Sequence, residues 1–249
     1  GLDSTKPRVR HGAVDSLADV GTLEAWSLIL ERGLGDPNSR VADSAQLRLG
    51  AAQATPELLE LLESRSGIGS RKRIRRIRVA QALGTMPGKV PARLFERALK
   101  DKEPDVRAAL VGAVEQRSLL EGASIAGETA DLKRLLKALD RVATRDRDSR
   151  TRAAGLLALV AFADAEGIGE GEARDASVEA LGSDDPLLLS AAIHTAAERL
   201  STADLEAVLW AKRGGHAPFM AAVAALEVRA DRESARLLIR RLGDEAAPL

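Results

Sequence analysis

Apolar residues recur along the chain at three- and four-residue spacing, in stretches broken by Asp, Ser, Pro and Gly. Leu58, Leu59, Leu61 and Leu62 follow this spacing, as do Leu132, Leu135, Leu136 and Leu139. That is the period of an amphipathic helix with one buried stripe. Two kinds of stretch alternate. The first kind is leucine-rich and covers residues 23–34, 56–62, 91–99, 132–142, 173–181, 205–210 and 234–242. The second is alanine-rich and opens on an aliphatic residue, usually followed by Arg, as in Val9-Arg10, Val106-Arg107 and Thr151-Arg152. Asp36-Pro37, Pro104-Asp105, Asp148-Ser149 and Asp185-Pro186 lie between them. Asp and Ser accept from the free N–H groups of a helix start, and Pro is tolerated in the first turn. Thr55-Pro56-Glu57 and Thr202-Ala203-Asp204 open leucine-rich helices in the same way. The pattern predicts an all-α protein built from helical hairpins.

The alanine-rich anchors fall at 9, 41, 75, 106, 151, 188 and 218, with spacings of 32, 34, 31, 45, 37 and 30. A period in the thirties is characteristic of helical-hairpin solenoids. The strings Val9-Arg10-His11-Gly12-Ala13, Val106-Arg107-Ala108-Ala109 and Thr151-Arg152-Ala153-Ala154, with their Asp/Pro turns, resemble the HEAT repeat. The resemblance is closest to the short bacterial variety, also found in the phycobilisome-lyase-like group, and it covers nearly the whole chain. The copies at 75 and 218 depart most, because Arg75 and Pro218 replace the aliphatic anchor; bent or irregular repeats are expected there.

The resemblance implies about seven antiparallel hairpins in a curved right-handed superhelix, an α-solenoid whose alanine-rich helices line the concave face. It also implies that the recurring Arg (Arg10, Arg76, Arg107 and Arg152) forms a structural ladder with turn acids of adjoining repeats. Asp36, Asp101, Asp105 and Asp148 are the candidate partners. The chain is read as one domain, 1–249, that begins on an alanine-rich helix and ends on a leucine-rich one. A segment of a longer protein is the expectation.

Composition accounts for part of this. The 45 Ala and 37 Leu favour helix, and Ala lets stacked backbones approach closely. There are 29 Arg against 8 Lys, a bias that, with the Ala excess, suggests a GC-rich bacterial genome. There is no Cys, hence no disulfide, Cys-ligated metal or thiol nucleophile. No run of about 18 apolar residues occurs, so no membrane span is expected. The compartment stays open, with the cytoplasm favoured. The three His (His11, His194 and His216) lack metal-ligand spacing, no Gly-x-Ser-x-Gly or Gly-x-Gly-x-x-Gly occurs, and acid pairs such as Asp184-Asp185 suit helix caps. No enzyme, cofactor or metal is expected. Residues 121–131 and 164–172 read as flexible surface turns, and Gly67-Ile68-Gly69 does not match a phosphate-binding loop.

Charge is segregated although the total is zero. Residues 65–150 hold 21 basic and 11 acidic residues, net +10, and residues 153–206 hold 2 and 11, net −9. The densest point is Arg71-Lys72-Arg73-Ile74-Arg75-Arg76-Ile77-Arg78. On a helix Arg71, Arg75 and Arg78 stack at i, i+4 and i+7. This stripe is either an anion-binding face or a solvated face paired with acids of neighbouring repeats such as Asp43 and Asp105. The functional expectation is a non-enzymatic scaffold that binds a protein or acidic peptide, with Arg71, Arg75 and Arg78 at the centre and Lys72, Arg73 and Arg76 beside them. Nucleic acid is the alternative partner, weakened by the lack of aromatic residues near the cluster. A remote variant is a HEAT-like DNA glycosylase; against it, Trp26 and Trp210 sit far apart on leucine-rich segments and Tyr is absent. Head-to-tail self-association of the basic and acidic segments is a further expectation.

Overall fold

The computed structural model describes residues 1–210 and 216–245, without the side chains of 216–218 and 241–245. The chain divides into two compact units, residues 1–138 and residues 139 onward. The first contains α1 (Pro7–Val20), α2 (Leu23–Leu28), α3 (Ser39–Gly50), α4 (Pro56–Glu63), α5 (Arg73–Thr85), β1 (Gly88–Pro91), α6 (Ala92–Ala98), α7 (Pro104–Leu119) and β2 (Ala123–Ala126). The boundary falls within α8 (Thr129–Arg145). The second contains α9 (Ser149–Glu166), α10 (Glu170–Leu181), α11 (Pro186–Arg199), α12 (Thr202–Trp210), α13 (His216–Arg229) and α14 (Arg232–Glu245). The all-α expectation holds.

In the first unit α1 packs on α3, α3 on α5 and α5 on α7, while α2 packs against α1 and α4. In the second, α9 packs on α11 and α11 on α13, with α10 against α9 and α11, and α12 against α13. Every alanine-rich helix thus meets the next alanine-rich helix of its unit. This is the neighbour order of repeated hairpins, and small residues explain it. A Cβ on Gly84 of α5 would lie 3.0 Å from Cα of Ala113 in α7, so a larger residue would push these two helices apart. The leucine-rich helices supply bulk: Leu30, Leu58, Leu62, Leu94 and Phe95 are buried in the first unit, Leu181, Leu205 and Leu209 in the second.

The caps at Thr55, Asp148 and Asp185 form, whereas α3 and α7 start on Asn38 and Glu103 without a side-chain cap bond. Thr55 accepts from the amide of Leu58, Asp148 from Thr151, and Asp185 from Leu187 and Leu188. Ser201 and Asp204 exchange side-chain and amide hydrogen bonds at the start of α12, the reciprocal box that satisfies two free donors.

Several local expectations are corrected. The repeat at Arg75 is a continuous helix. Helix α2 passes into a π-helical turn, Ile29–Gly33, before the next hairpin turn. Residues 164–172 are mostly helical, with α9 ending on left-handed Gly167 and α10 starting at Glu170. The largest departure lies in residues 121–131. There β2 runs parallel to β1, with Val90 opposite Ile125 and both side chains buried. The extra residues of the 45-residue repeat are therefore ordered. The side chain of Pro218, in the other divergent copy, lies outside the described residues.

Candidate functional site

Arginines hold the hairpins in two registers. In the first, Arg stands four residues after the N-cap of an alanine-rich helix. The guanidinium turns back to the carbonyl six residues earlier: Arg10 to Ser4, Arg76 to Ser70, Arg107 to Asp101 and Arg152 to Asp146, all at 2.8–2.9 Å. In Arg10 and Arg76 the other edge grips a turn acid of the next repeat. Arg10 is bidentate on Asp36 (2.7 and 2.8 Å), and Arg76 is bidentate on Asp101 (2.7 and 3.1 Å). The bond from Arg10 holds the Asp36 carboxyl below its ordinary pKa. Where Ala42 takes the Arg position, the following turn carries Ser70 instead of Asp. In the second register, Arg near a helix C-terminus donates to a carbonyl of the preceding alanine-rich helix or its C-cap: Arg199 to Val160 within α9 and Arg229 to Leu200 at the end of α11. Arg117 is the extreme case. It is 1% exposed and donates to the carbonyls of Leu83 (2.8 Å), Met86 (2.6 Å), Gly88 and Ser124 (2.9 Å). These acceptors include the end of α5 and both strands. Burial pulls its pKa down to about 10, so it stays charged at neutral pH. Such multiple acceptance needs a planar fork of donors, which Lys lacks.

This framework sorts the basic cluster. Helix α5 starts at Arg73, and Lys72 is its N-cap. Arg71 therefore precedes the helix and does not stack with Arg75 and Arg78. Arg75 is 8% exposed and donates to the carbonyl of Glu31. Arg76 is 7% exposed and belongs to the Asp101 pair. Arg78 pairs with Asp43 at 2.9 Å. All three are engaged by neighbouring repeats, so Arg75 and Arg78 do not form with Arg71 the open stripe expected at the contact centre. Arg71, Lys72 and Arg73 are exposed, as is Ile74 at 49%. Arg73 pairs with Asp105 across the surface.

The open cations surround a concavity. Arg65, Gly69, Ser70, Arg71, Lys72 and Arg75 line a cavity of about 390 Å³ beside the start of α5. Its rim is the turn 64–70, folded tightly onto the end of α4: the amide of Ile68 donates to Leu62 at 2.7 Å, and a Cβ on Gly67 would lie 2.0 Å from the carbonyl oxygen of Leu62. Only Gly fits that approach. No carboxylate lines the cavity. The first turn of α5 carries no acid, although a helix N-terminus favours negative charge. Glu31 is the carboxylate that acts on Arg75, yet burial outweighs it and lowers the Arg75 pKa. The Nε of Arg75 is buried without a hydrogen-bond partner.

Elsewhere the catalytic vocabulary is sparse. Among the described residues no group of three His, Asp or Glu side chains is placed to hold a metal. His11 faces Asp15 at 3.2 Å and His194 faces Glu198 at 3.7 Å; the His216 side chain lies outside the described residues. Trp26 is buried in its hairpin and Trp210 is partly exposed. No described helix is long and apolar enough to cross a membrane.

Glu115, in the middle of α7, is half-buried, and burial raises its pKa. A raised carboxyl pKa means that the folded state binds this proton more tightly. Stability from this site is therefore highest below the ordinary carboxyl pKa of about 4.3 and falls as pH rises through the raised value. Glu115→Gln is expected to stabilise the protein at pH 7 by ~0.5 kcal/mol, discounted for partial exposure, and the gain should vanish near pH 4 in urea titrations. A gain independent of pH would contradict this origin.

The HEAT resemblance implied a ladder of Arg and turn acids without assigning the pairs: Asp36 and Asp101 take Arg10 and Arg76, whereas Asp105 pairs with Arg73 and Asp148 caps α9, and the carbonyl grips were not foreseen. The only signal for the latter is Arg placed six residues after a Ser or Asp of the turn. Arg65 was also missed, because its neighbours read as a simple turn. No family model matches this chain, and no curated protein matches it.

Proposed function

We propose that the protein is a non-enzymatic helical-repeat scaffold of the HEAT type that binds an acidic segment of another protein. The contact centre is the set of exposed cations at the start of α5, Arg71, Lys72 and the solvent-exposed, Asp105-paired Arg73, joined by Arg65. One observation carries this reading. Arg65, Arg71 and Lys72 make no ion pair among the described residues, whereas Arg76 and Arg78 are paired with Asp101 and Asp43. Like charges at the positive end of a helix repel each other and the helix dipole, and an acidic partner relieves both effects. Exposed Ile74 adds an apolar contact beside them.

The probe is a synthetic Glu-rich peptide, titrated over a salt series by calorimetry. Binding is expected at low ionic strength and should weaken as salt screens exposed charges. Absence of binding at low salt would remove the proposal. A duplex or single-stranded oligonucleotide is titrated in parallel. Tighter binding there, with log affinity falling steeply against log salt, would move the assignment from protein to nucleic acid.

A further inference from the structure

Building on the acidic-segment reading, we infer that the cavity lined by Arg65, Ser70, Arg71, Lys72 and Arg75 is a seat for one phosphomonoester, carried by a phosphorylated Ser or Thr of the bound segment.

Charge count, burial and hydrogen-bonding capacity support this assignment. Three guanidiniums and one ammonium line one cavity without a carboxylate on its wall. A single Glu side chain brings one negative charge and two acceptor oxygens. A phosphomonoester brings nearly two charges and three acceptor oxygens, which suits a site with several convergent donors. The floor of the cavity is prepared. Arg75 is more than nine-tenths buried, its Nε–H has no acceptor, and its terminal nitrogen is fixed on the Glu31 carbonyl. A buried guanidinium N–H without a partner is costly; Arg75 lines the cavity, and a small shift of its side chain on binding brings the Nε–H to a ligand oxygen. Ser70 is buried too. Its Oγ accepts from the Lys72 amide at 3.2 Å, which leaves the hydroxyl proton to donate. The rim does not need to reorganise, because the turn 64–70 is pinned to α4 by the bonds of Ile68 and Gly69. Arg65 and Arg71 are exposed and are placed to close over the ligand.

The experiment compares one Glu-flanked peptide in three forms, with Ser, phosphoserine or Glu at the centre, against the intact protein by calorimetry. The phosphoserine form is expected to bind at least about tenfold tighter than the Ser form, the range of one strong charge-assisted contact, and tighter than the Glu form. Arg65→Ala and Arg71→Ala, both at exposed positions, weaken the Ser form as members of the contact centre, and each should also remove most of the ratio between phosphoserine and Ser affinity. The Arg75 Nε–H resonance should shift on saturation, which tests the floor without substituting a buried residue. If the Ser form binds and phosphorylation adds nothing, the phosphate seat is overturned and the acidic-segment reading stands. If no form binds, both fall. A phosphate gain that survives in both Ala variants also overturns the seat. Inorganic phosphate bound as tightly as the phosphopeptide would overturn the peptide source.

Discussion

Replacing Arg117 with Met is expected to lower the free energy of unfolding by about 3–5 kcal/mol, the cost of leaving several buried acceptors without a donor. Four carbonyls share this guanidinium: Leu83 and Met86 at the end of α5, Gly88 beside β1 pairing, and Ser124 in β2. The last carbonyls of any helix lack an intrahelical donor, and here the donor arrives from the neighbouring helix. Met fills similar volume but donates nothing. Arg117→Lys keeps the charge, but its compact ammonium has three donors and no planar fork; about half of the loss is expected to remain. Urea unfolding measures both, and hydrogen exchange at Ile125 should accelerate with them. A Met variant within about 0.5 kcal/mol of the parent, the spread of ordinary surface substitutions, would show that the strands and the α5 end hold without Arg117.

The second large effect concerns the ladder. Arg76→Ala and Asp101→Ala are each expected to cost about 3 kcal/mol, with a coupling energy of about 2 kcal/mol in the double-mutant cycle, because each single change strands a buried charge. The side chains of this pair are 8% and 14% exposed, and Asp101 also accepts from the amide of Glu103 at 2.9 Å. The Arg73–Asp105 pair spans the same two repeats with side chains 56% and 58% exposed. Solvent screens it, and its coupling should stay below about 0.5 kcal/mol. Equal coupling in the two cycles would mean that burial does not set the value of these rungs.

The helical hairpins were legible because their signals are local. Leucine spacing, Thr55, Asp148 and Asp185 caps, and Ala-rich strings each act within one or two turns of helix. That a repeated Arg meets turn acids was implied by the HEAT resemblance, but which acid each Arg takes was not legible, since Asp36 and Asp101 carry rungs while Asp105 pairs with Arg73 and Asp148 caps α9. The β1–β2 pairing was not legible either, since nothing in Ala123-Ser124-Ile125-Ala126 distinguishes a strand from a turn until Arg117 and Val90 are brought beside it. The basic cluster shows the same limit. Helical periodicity alone places Arg71, Arg75 and Arg78 on one face, but α5 begins two residues after Arg71 and buries Arg75 beneath Glu31. Burial against other repeats depends on contacts 25–44 residues away, which a helical wheel does not contain.

Under the proposed function one cationic run divides its labour: Arg76 and Arg78 hold repeats together, Arg71, Lys72 and Arg73 meet the partner, and Arg75 serves both. The direct test is the triple variant Arg71→Glu, Lys72→Glu, Arg73→Glu, measured for urea unfolding and for affinity to the Glu-rich peptide. Acids suit a helix N-terminus, while replacing Arg73 sets a second carboxylate against Asp105; both effects are small at exposed positions, so the variant should stay folded with a urea midpoint close to the parent's. Its peptide affinity should fall at least about tenfold, the scale of one to two lost exposed charge contacts. A folded triple variant that binds the peptide as the parent does would contradict the account.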